Sequence, residues 1–361
     1  MPTPPSETLT VGTSTRGTIA GYVLRLVREQ LGLAREELSE CFRVSPDTLA
    51  GWETGRRPLT AVSTGQLLVH RYRLLHLGAR PELLDTLDRG LEADTLLGNV
   101  LDGETEPLGA WVMQRPLVET LAWPLTGVAP EPIRALPPSR RPRRGPVPAG
   151  PELGHAERRL LFANLRRATE YATAPGDFLL RRQALYLSGY DDATDVDAWS
   201  AEQQRHLGPD DWLSRWLTAR SLASVATRYG DTERTDVFVE SLDGDDRAEA
   251  ANLAYWAYWI GETHTELSDD FMATGKLGVW EGRRLLTHLV NRMHPGHGYL
   301  ALYVHTVWAL LMARPHLLAS APDVAAALAD RVEKLLDGPE APASVRRELD
   351  GIRYAIRLAQ A

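Results

Sequence analysis

The sequence predicts an all-α protein built as an N-terminal bundle of short helices followed by a C-terminal array of helical hairpins. Apolar residues recur at three- and four-residue spacing through most of the chain, and Gly, Pro and Asp punctuate the stretches between them. At 361 residues the chain exceeds what one core fills, so at least two domains are expected. A composition 43% hydrophobic and 24% charged supplies packed cores and excludes disorder along the whole length.

Residues 1–15 are rich in Pro, Thr and Ser and read as a mobile arm. Residues 16–80 form the first helical module. Ile19, Tyr22, Val23, Leu26 and Val27 make one apolar helix face, which Gly32 ends. A second helix runs from Arg35 to about Phe42, with a turn at Arg43 and Val44. Ser45 caps a third helix that has Pro46 in its first position and ends near Glu53. A fourth helix, from Thr64 to Leu77, is expected to turn Leu67, Leu68, Tyr72 and Leu75 inward. Connecting helices follow over 81–128. The segment 129–154 holds eight prolines and is expected to be an extended interdomain linker without helix. From 155 to 361 the helical period returns, with breaks that imply eight to ten helices.

Charge is uneven along the chain. Residues 16–80 carry ten Arg against six acids, whereas 81–133 carry two Arg against ten acids, and the net charge of the chain is −8. A basic module is thus followed by an acidic one, and only the first suits a polyanionic partner. Arg140, Arg141, Arg143 and Arg144 add a second basic cluster, either phosphate contacts or the charge of a solvated linker. The single cysteine, Cys41, excludes an intrachain disulfide, and the first residues lack the basic and apolar regions of a signal peptide, so a cytoplasmic protein is expected. The most apolar run, Tyr299–Ala313, is too short as a helix, at roughly 22 Å, for a bilayer core of ~30 Å, and no membrane partner is expected.

Residues 24–58, LRLVREQLGLAREELSECFRVSPDTLAGWETGRRP, resemble the Cro/repressor helix-turn-helix domain of the XRE family. The likeness covers roughly residues 17–78. It rests on Leu-Gly-Leu before the second helix, Glu-Glu-Leu within it, Val-Ser-Pro at the turn and Trp-Glu-Thr-Gly-Arg-Arg-Pro after the third helix. It implies that the third helix enters the major groove of double-stranded DNA. It also implies a structural pair, Arg28 with Glu53, and a core of Leu38, Val44, Leu49 and Trp52. By the same mapping Pro46, Asp47, Thr48 and Gly51 face the bases, while Arg35, Ser45, Arg56 and Arg57 lie toward phosphates. Two features depart from the family pattern. Ala34 and Arg35 stand where a Ser or Thr cap and Gln are usual, and the base-facing set lacks Arg, Asn and Gln, the side chains that make bidentate base contacts. Asp47 toward cytosine N4, Thr48 toward a thymine methyl and Arg16 in a minor groove are the remaining readers.

From Ala251 to His316 aromatics and histidines are dense, and NLAYWAYWIGE is aromatic on more than one helix face. Trp256, Trp259, Trp280 and Trp308, with Glu262 or Asp269 as polar anchors, are candidates for an effector pocket, a subunit interface or ordinary core. His288, His294 and His297 lack the His-Glu-x-x-His spacing of a helical metal site, so no metal is expected. The chain shows no Gly-rich phosphate loop, nucleophile elbow or paired Cys motif, and neither an enzyme nor a cofactor is expected. The segment also resembles, diffusely, parts of actinobacterial regulators, in keeping with the near-exclusive use of Arg over Lys. The expected function is a dimeric, sequence-specific transcriptional regulator on an inverted repeat, with a C-terminal helical domain for dimerisation and effector sensing. The alternative is a protein-interaction scaffold that the DNA module only localises.

Overall fold

The computed structural model describes residues 17–137, 149–193, 195–205, 212–228, 230–262, 280–338 and 342–360. Arg16, the linker cluster Arg140, Arg141, Arg143 and Arg144, and Asp269 lie outside them. Among the described residues every regular element is a helix. The chain divides into two compact units, one of residues 1–104 with 116–164 and the other of 105–115 with 165–361.

In the first unit, α1 (Thr18–Gln30) is buried on nearly all sides, including Ile19, Tyr22, Val23, Leu26 and Val27. It lies against α5 (Pro81–Asp102), one continuous 22-residue helix with Pro81 in its first turn and Gly103, at φ 85°, closing its end. Two close approaches set α1 in place. A Cβ on Gly21 would meet the Trp52 carbonyl oxygen at 2.1 Å, and one on Gly90 would lie 3.1 Å from Ala20 Cα. The amino end of α1 has no capping side chain of its own. Asp94 of α5 supplies one: the Ile19 and Ala20 N–H groups donate to its two oxygens at 3.1 and 2.8 Å. Such backbone donors are otherwise orphaned at a helix start.

The second and third helices fall where the sequence places them, α2 at Arg35–Phe42 and α3 at Pro46–Glu53. α4 (Thr64–His76) does not face inward as expected. His70 and Leu74 are buried, whereas Leu68, Tyr72 and Leu75 are exposed. Apolar spacing identified the helix, but the buried side is set by the stacking of His70 on Phe42, with ring centroids 4.2 Å apart. Beside that stack a cavity of about 170 Å³ opens among Leu24, Phe42, Leu67, Leu74, Leu87 and Leu91.

The proline-rich segment differs from the expected linker. Its described part includes a one-turn helix, α7 (Glu131–Arg134), with Pro132 in the first turn, where a missing N–H costs nothing. Both flanks return to the first unit: Gln30 donates to the Pro137 carbonyl at 3.0 Å, and Tyr22 Oη to the Ala149 carbonyl at 2.9 Å. The later part of the connecting segment 81–128 holds α6 (Arg115–Thr126). α8 (His155–Tyr171) spans the division between the units.

The second unit contains α9 (Phe178–Ser188), α10 (Val196–Arg205), α11 (Trp212–Arg228), α12 (Glu233–Glu240), α13 (Asp246–Trp259), α14 (Arg283–Arg292), α15 (Leu300–Ala313), α16 (Leu317–Ser320), α17 (Pro322–Leu336) and α18 (Ala343–Gln360). Consecutive helices pair as hairpins: α11 with α12, α14 with α15, and α17 with α18. The one-turn α16 accounts for a helix more than the sequence implied. α15 is buried on all faces from Leu302 to Leu311 except at Trp308, as its apolar run predicts. No helix among the described residues is long and apolar enough to cross a membrane.

A buried histidine of this core is held between two carboxylates. His305 of α15 has Nδ1 2.7 Å from Glu348 of α18 and Nε2 3.4 Å from Glu249 of α13, the second an ion-pair contact rather than an aligned hydrogen bond. Burial alone would lower the pKa of His305, but the two carboxylates outweigh it and raise the value to about 9.

Two pH effects follow. Burial raises the Asp94 pKa from 3.8 to about 7 against the opposing backbone hydrogen bonds. The folded state therefore holds a proton that the unfolded chain has released, so the contribution of Asp94 is full below pH 4 and is lost as pH rises through about 7. Asp94→Asn should flatten the stability profile over that window in urea unfolding. The His305 value is also raised, so its contribution is full below about 6.5 and is lost as pH rises through about 9. Thermal unfolding of His305→Gln should show a weaker fall in Tm between pH 6.5 and 9 than the parent chain.

Candidate functional site

The turn between α2 and α3 is built from local rules. Arg43 closes α2 at φ 57°, in the left-handed region that few side chains adopt, and its N–H donates back to the Glu40 carbonyl at 3.0 Å. The Val44 N–H reaches the Ser39 carbonyl at 3.0 Å. Ser45 then caps α3, its Oγ accepting from the Thr48 N–H at 3.0 Å. Pro46 at the first helical position holds the backbone angle already suited to a helix. The missing Ser or Thr cap of α2 is replaced in half: Glu37 accepts from the Ala34 N–H at 2.5 Å, and the Ala34 methyl has no oxygen to return the bond.

Beneath the turn Leu38 and Leu49 are fully buried, Trp52 nearly so, and Val44 is half-buried. Glu53 lies below them with its side chain 1% exposed. Arg28 meets it with two hydrogen bonds, at 2.5 and 3.2 Å, and spends Nη1 on the Leu33 carbonyl at 3.0 Å. The structure therefore brings Arg28 and Glu53 together as a pair that ties α1 to α3.

Arg35 behaves differently from its expected role at a phosphate. Its Nε and Nη2 both lie 3.0 Å from Glu53 Oε2, so it is the second cation on the same carboxylate, although 41% of its side chain stays exposed. Gly51, expected to face the bases, is buried. A Cβ there would lie 3.0 Å from Arg57 Cδ, because the stem of Arg57 runs across that position.

The exposed end of α3 is accordingly Ser45, Pro46 and Asp47, with Thr48 half-exposed. Over it lie two guanidinium groups. Arg56 meets Asp47 at 2.7 Å and Arg57 meets it at 3.2 Å, while Arg57 Nη1 also donates to Thr48 Oγ1 at 3.0 Å. The hydrogen bond from Arg56 and the two positive charges lower the Asp47 pKa, so it stays ionised. The arrangement offers positive charge beside a helix amino end, the combination that accommodates phosphate oxygens.

The aromatic candidates of the second unit do not gather in one place. Trp256 is buried, with His288 and Tyr303 at ring distances of 5.8 and 5.7 Å. Trp259 stacks on Tyr255 at 6.2 Å and meets Tyr186 edge-on. Trp280 packs near Gly282 with Arg314 over its ring at 5.1 Å, and Trp308 packs on Gly351 of α18. Glu262 accepts from the Leu285 N–H at 3.1 Å and so caps α14. Its carboxylate serves the fold there.

The histidines are also placed. His288 Nδ1 lies 3.1 Å from Arg115 Nη1, and burial with the Arg115 and Arg292 charges lowers its pKa to about 3, leaving it neutral. His294 Nδ1 accepts from the Gly296 N–H at 3.2 Å, and the His297 ring lies 5.8 Å from that of Tyr303.

Sequence reasoning missed three arginines over the rings of Tyr255, Trp256 and Tyr186: Arg182, Arg220 and Arg228. An arginine in an amphipathic helix reads as a surface residue, and no spacing rule marks one that turns inward. No family model, curated protein or solved structure matches the chain.

The Glu53 clamp is testable by itself. Glu53→Gln leaves Arg28, whose side chain is 11% exposed, without its carboxylate. Removing one partner of a buried pair costs about 3 kcal/mol or more, and urea unfolding should show a loss of that order.

Proposed function

We propose that the chain is a cytoplasmic, sequence-specific DNA-binding transcriptional regulator of the XRE, or Cro/repressor-type, helix-turn-helix kind. In this reading residues 16–80 bind duplex DNA, and residues 155–361 pair two subunits and take a small-molecule effector. The observation that carries it is the exposed amino end of α3, capped by Ser45 and flanked by Arg56 and Arg57, on a turn of three residues after α2. Arg56 and Arg57 take phosphates. Arg35 keeps Nη1 for a third, and Pro46, Asp47 and Thr48 meet base edges. A homodimer places two such helices about one helical turn, ~34 Å, apart on an inverted repeat.

Selection from a random duplex library with the full chain, followed by anisotropy titration of the selected site, tests the reading. Enrichment of an inverted repeat supports it. Selection of no duplex moves the function to the second reading, a protein-interaction module, which is favoured by the exposed row of Leu68, Tyr72 and Leu75 on α4.

The ion pairs at α3 set a sharper expectation. Replacing Arg56 and Arg57 together by Ala should weaken binding to all duplexes and reduce the salt slope by about two. Asp47→Asn should do the opposite, because it releases both guanidinium groups while leaving a side chain of the same size. Tighter binding to random-sequence DNA and a steeper salt slope are expected; unchanged values for both variants would remove α3 from the interface.

A further inference from the structure

Arg182 on α9 and Arg220 on α11 are each only 6% exposed. The Arg220 guanidinium lies over the Tyr255 ring at 4.2 Å and over Trp256 at 4.9 Å, and it makes no hydrogen bond among the described residues. Its Nε is sealed from solvent without a partner. Arg182 donates to Tyr255 Oη at 3.0 Å and lies 5.4 Å from the same ring, while its Nε is likewise unpartnered. Arg228, at the end of α11, covers Tyr190 at 3.7 Å and Tyr186 at 4.3 Å. It donates to the Tyr186 carbonyl at 3.3 Å. None of the three forms an ion pair with a carboxylate among the described residues.

Other arginines of this unit have oxygen partners for their terminal nitrogens, although the Nε atoms of Arg166 and Arg181 are buried without one, as in Arg182 and Arg220. Arg166 holds Asp191 and Asp195, Arg283 holds Asp323, and buried Arg181 donates to the Thr169 and Gln203 carbonyls. Acids are not scarce, since the chain carries 48 of them against 40 basic residues. Arg181 also lacks a carboxylate but donates to two carbonyls, whereas Arg220 has no hydrogen-bond acceptor among the described residues. An aromatic face offsets only part of the cost of removing a guanidinium from water, and buried cations are otherwise paired. The local field is strongly positive: burial alone would raise the Tyr255 pKa, yet the Arg182 and Arg220 charges outweigh it and lower the value.

We propose that Arg182, Arg220 and Arg228 form the binding site of a small oxyanion, the carboxylate or phosphate group of a metabolite, walled by Tyr186, Tyr255 and Trp256. The planar forks of the guanidinium groups match such an anion in pairs of hydrogen bonds, which neutral ligands cannot replace. The proposal deepens the effector part of the function above and names its chemistry. It does not depend on DNA binding.

The test uses the full chain and two probes, inorganic phosphate and succinate, against chloride at equal ionic strength. A saturable rise in Tm with phosphate, succinate or both is expected, because a ligand that binds the folded state shifts unfolding. A response to one probe alone assigns the head group. Arg220→Met should abolish the response, weakening apparent affinity at least tenfold, while its Tm in chloride equals or exceeds that of the parent, because a buried unpaired charge has gone. The Arg56→Ala, Arg57→Ala double variant should keep the response, which separates this site from the α3 arginines and from any failure of the DNA reading. If Arg220→Met does not fold, Arg182→Met is read in its place. No response to either probe, a response that persists in the methionine variant, or a lower Tm in chloride with no anion effect would each overturn the proposal and make the arginines part of the packing.

Discussion

Everything in the first unit depends on the grip that α1 receives from two sides. On one side the backbone of Gly21 meets the Trp52 carbonyl, and on the other Gly90 lets α5 come up against Ala20. A side chain at Gly21 has no room, and a methyl at Gly90 would press on Ala20 at 3.1 Å. The helix is held against sliding, because Asp94 pins the Ile19 and Ala20 N–H groups in its first turn and Arg28 pins its last turn to Glu53. Since α3 is held by that same Glu53, the position of its exposed end follows from the seating of α1. Gly90 and Asp94 of α5, over forty residues further along the chain than Ser45, thereby set where α3 stands.

Local rules located the elements, and distance in sequence hid their partners. Ser45, Pro46 and the Gly-rich stops are properties of a few adjacent residues, so α2 and α3 could be placed to the residue. Asp94 caps a helix 74 and 75 residues away and looks in sequence like one acid among ten. The face of α4 was misjudged for a related reason. Leu68, Tyr72 and Leu75 share a helical face with the right spacing, but His70 and Leu74 share another, and only the position of Phe42 decides between them. At Gly51 the stem of Arg57, six residues on, covers the position.

The second unit shows the same limit in its chemistry. Tryptophans draw attention in a sequence because they are rare and large, and four of them suggested one pocket. Two turned out to be packing residues at separate helix contacts, Trp280 beside Gly282 and Trp308 on Gly351. Trp256 borders Arg220, and Trp259 lies against Tyr255 and Tyr186, whose rings carry Arg182 and Arg228; the inward direction of these arginines depends on how α9, α11 and α13 meet. Charge on a side chain is visible in sequence, but whether that charge has a partner is a property of the fold.

The pairing of Asp47 with Arg56 and Arg57 also shapes how the α3 face would look to a distant polyanion. Beyond a Debye length, about 8 Å at physiological salt, two cations and one carboxylate act nearly as a single positive charge. Long-range steering would therefore be modest, and the second charge would become available only when a phosphate displaces the carboxylate at contact. Attraction would then be spent on lodging rather than on approach, giving encounters that are less frequent and complexes that dissociate more slowly than the arginine count alone implies.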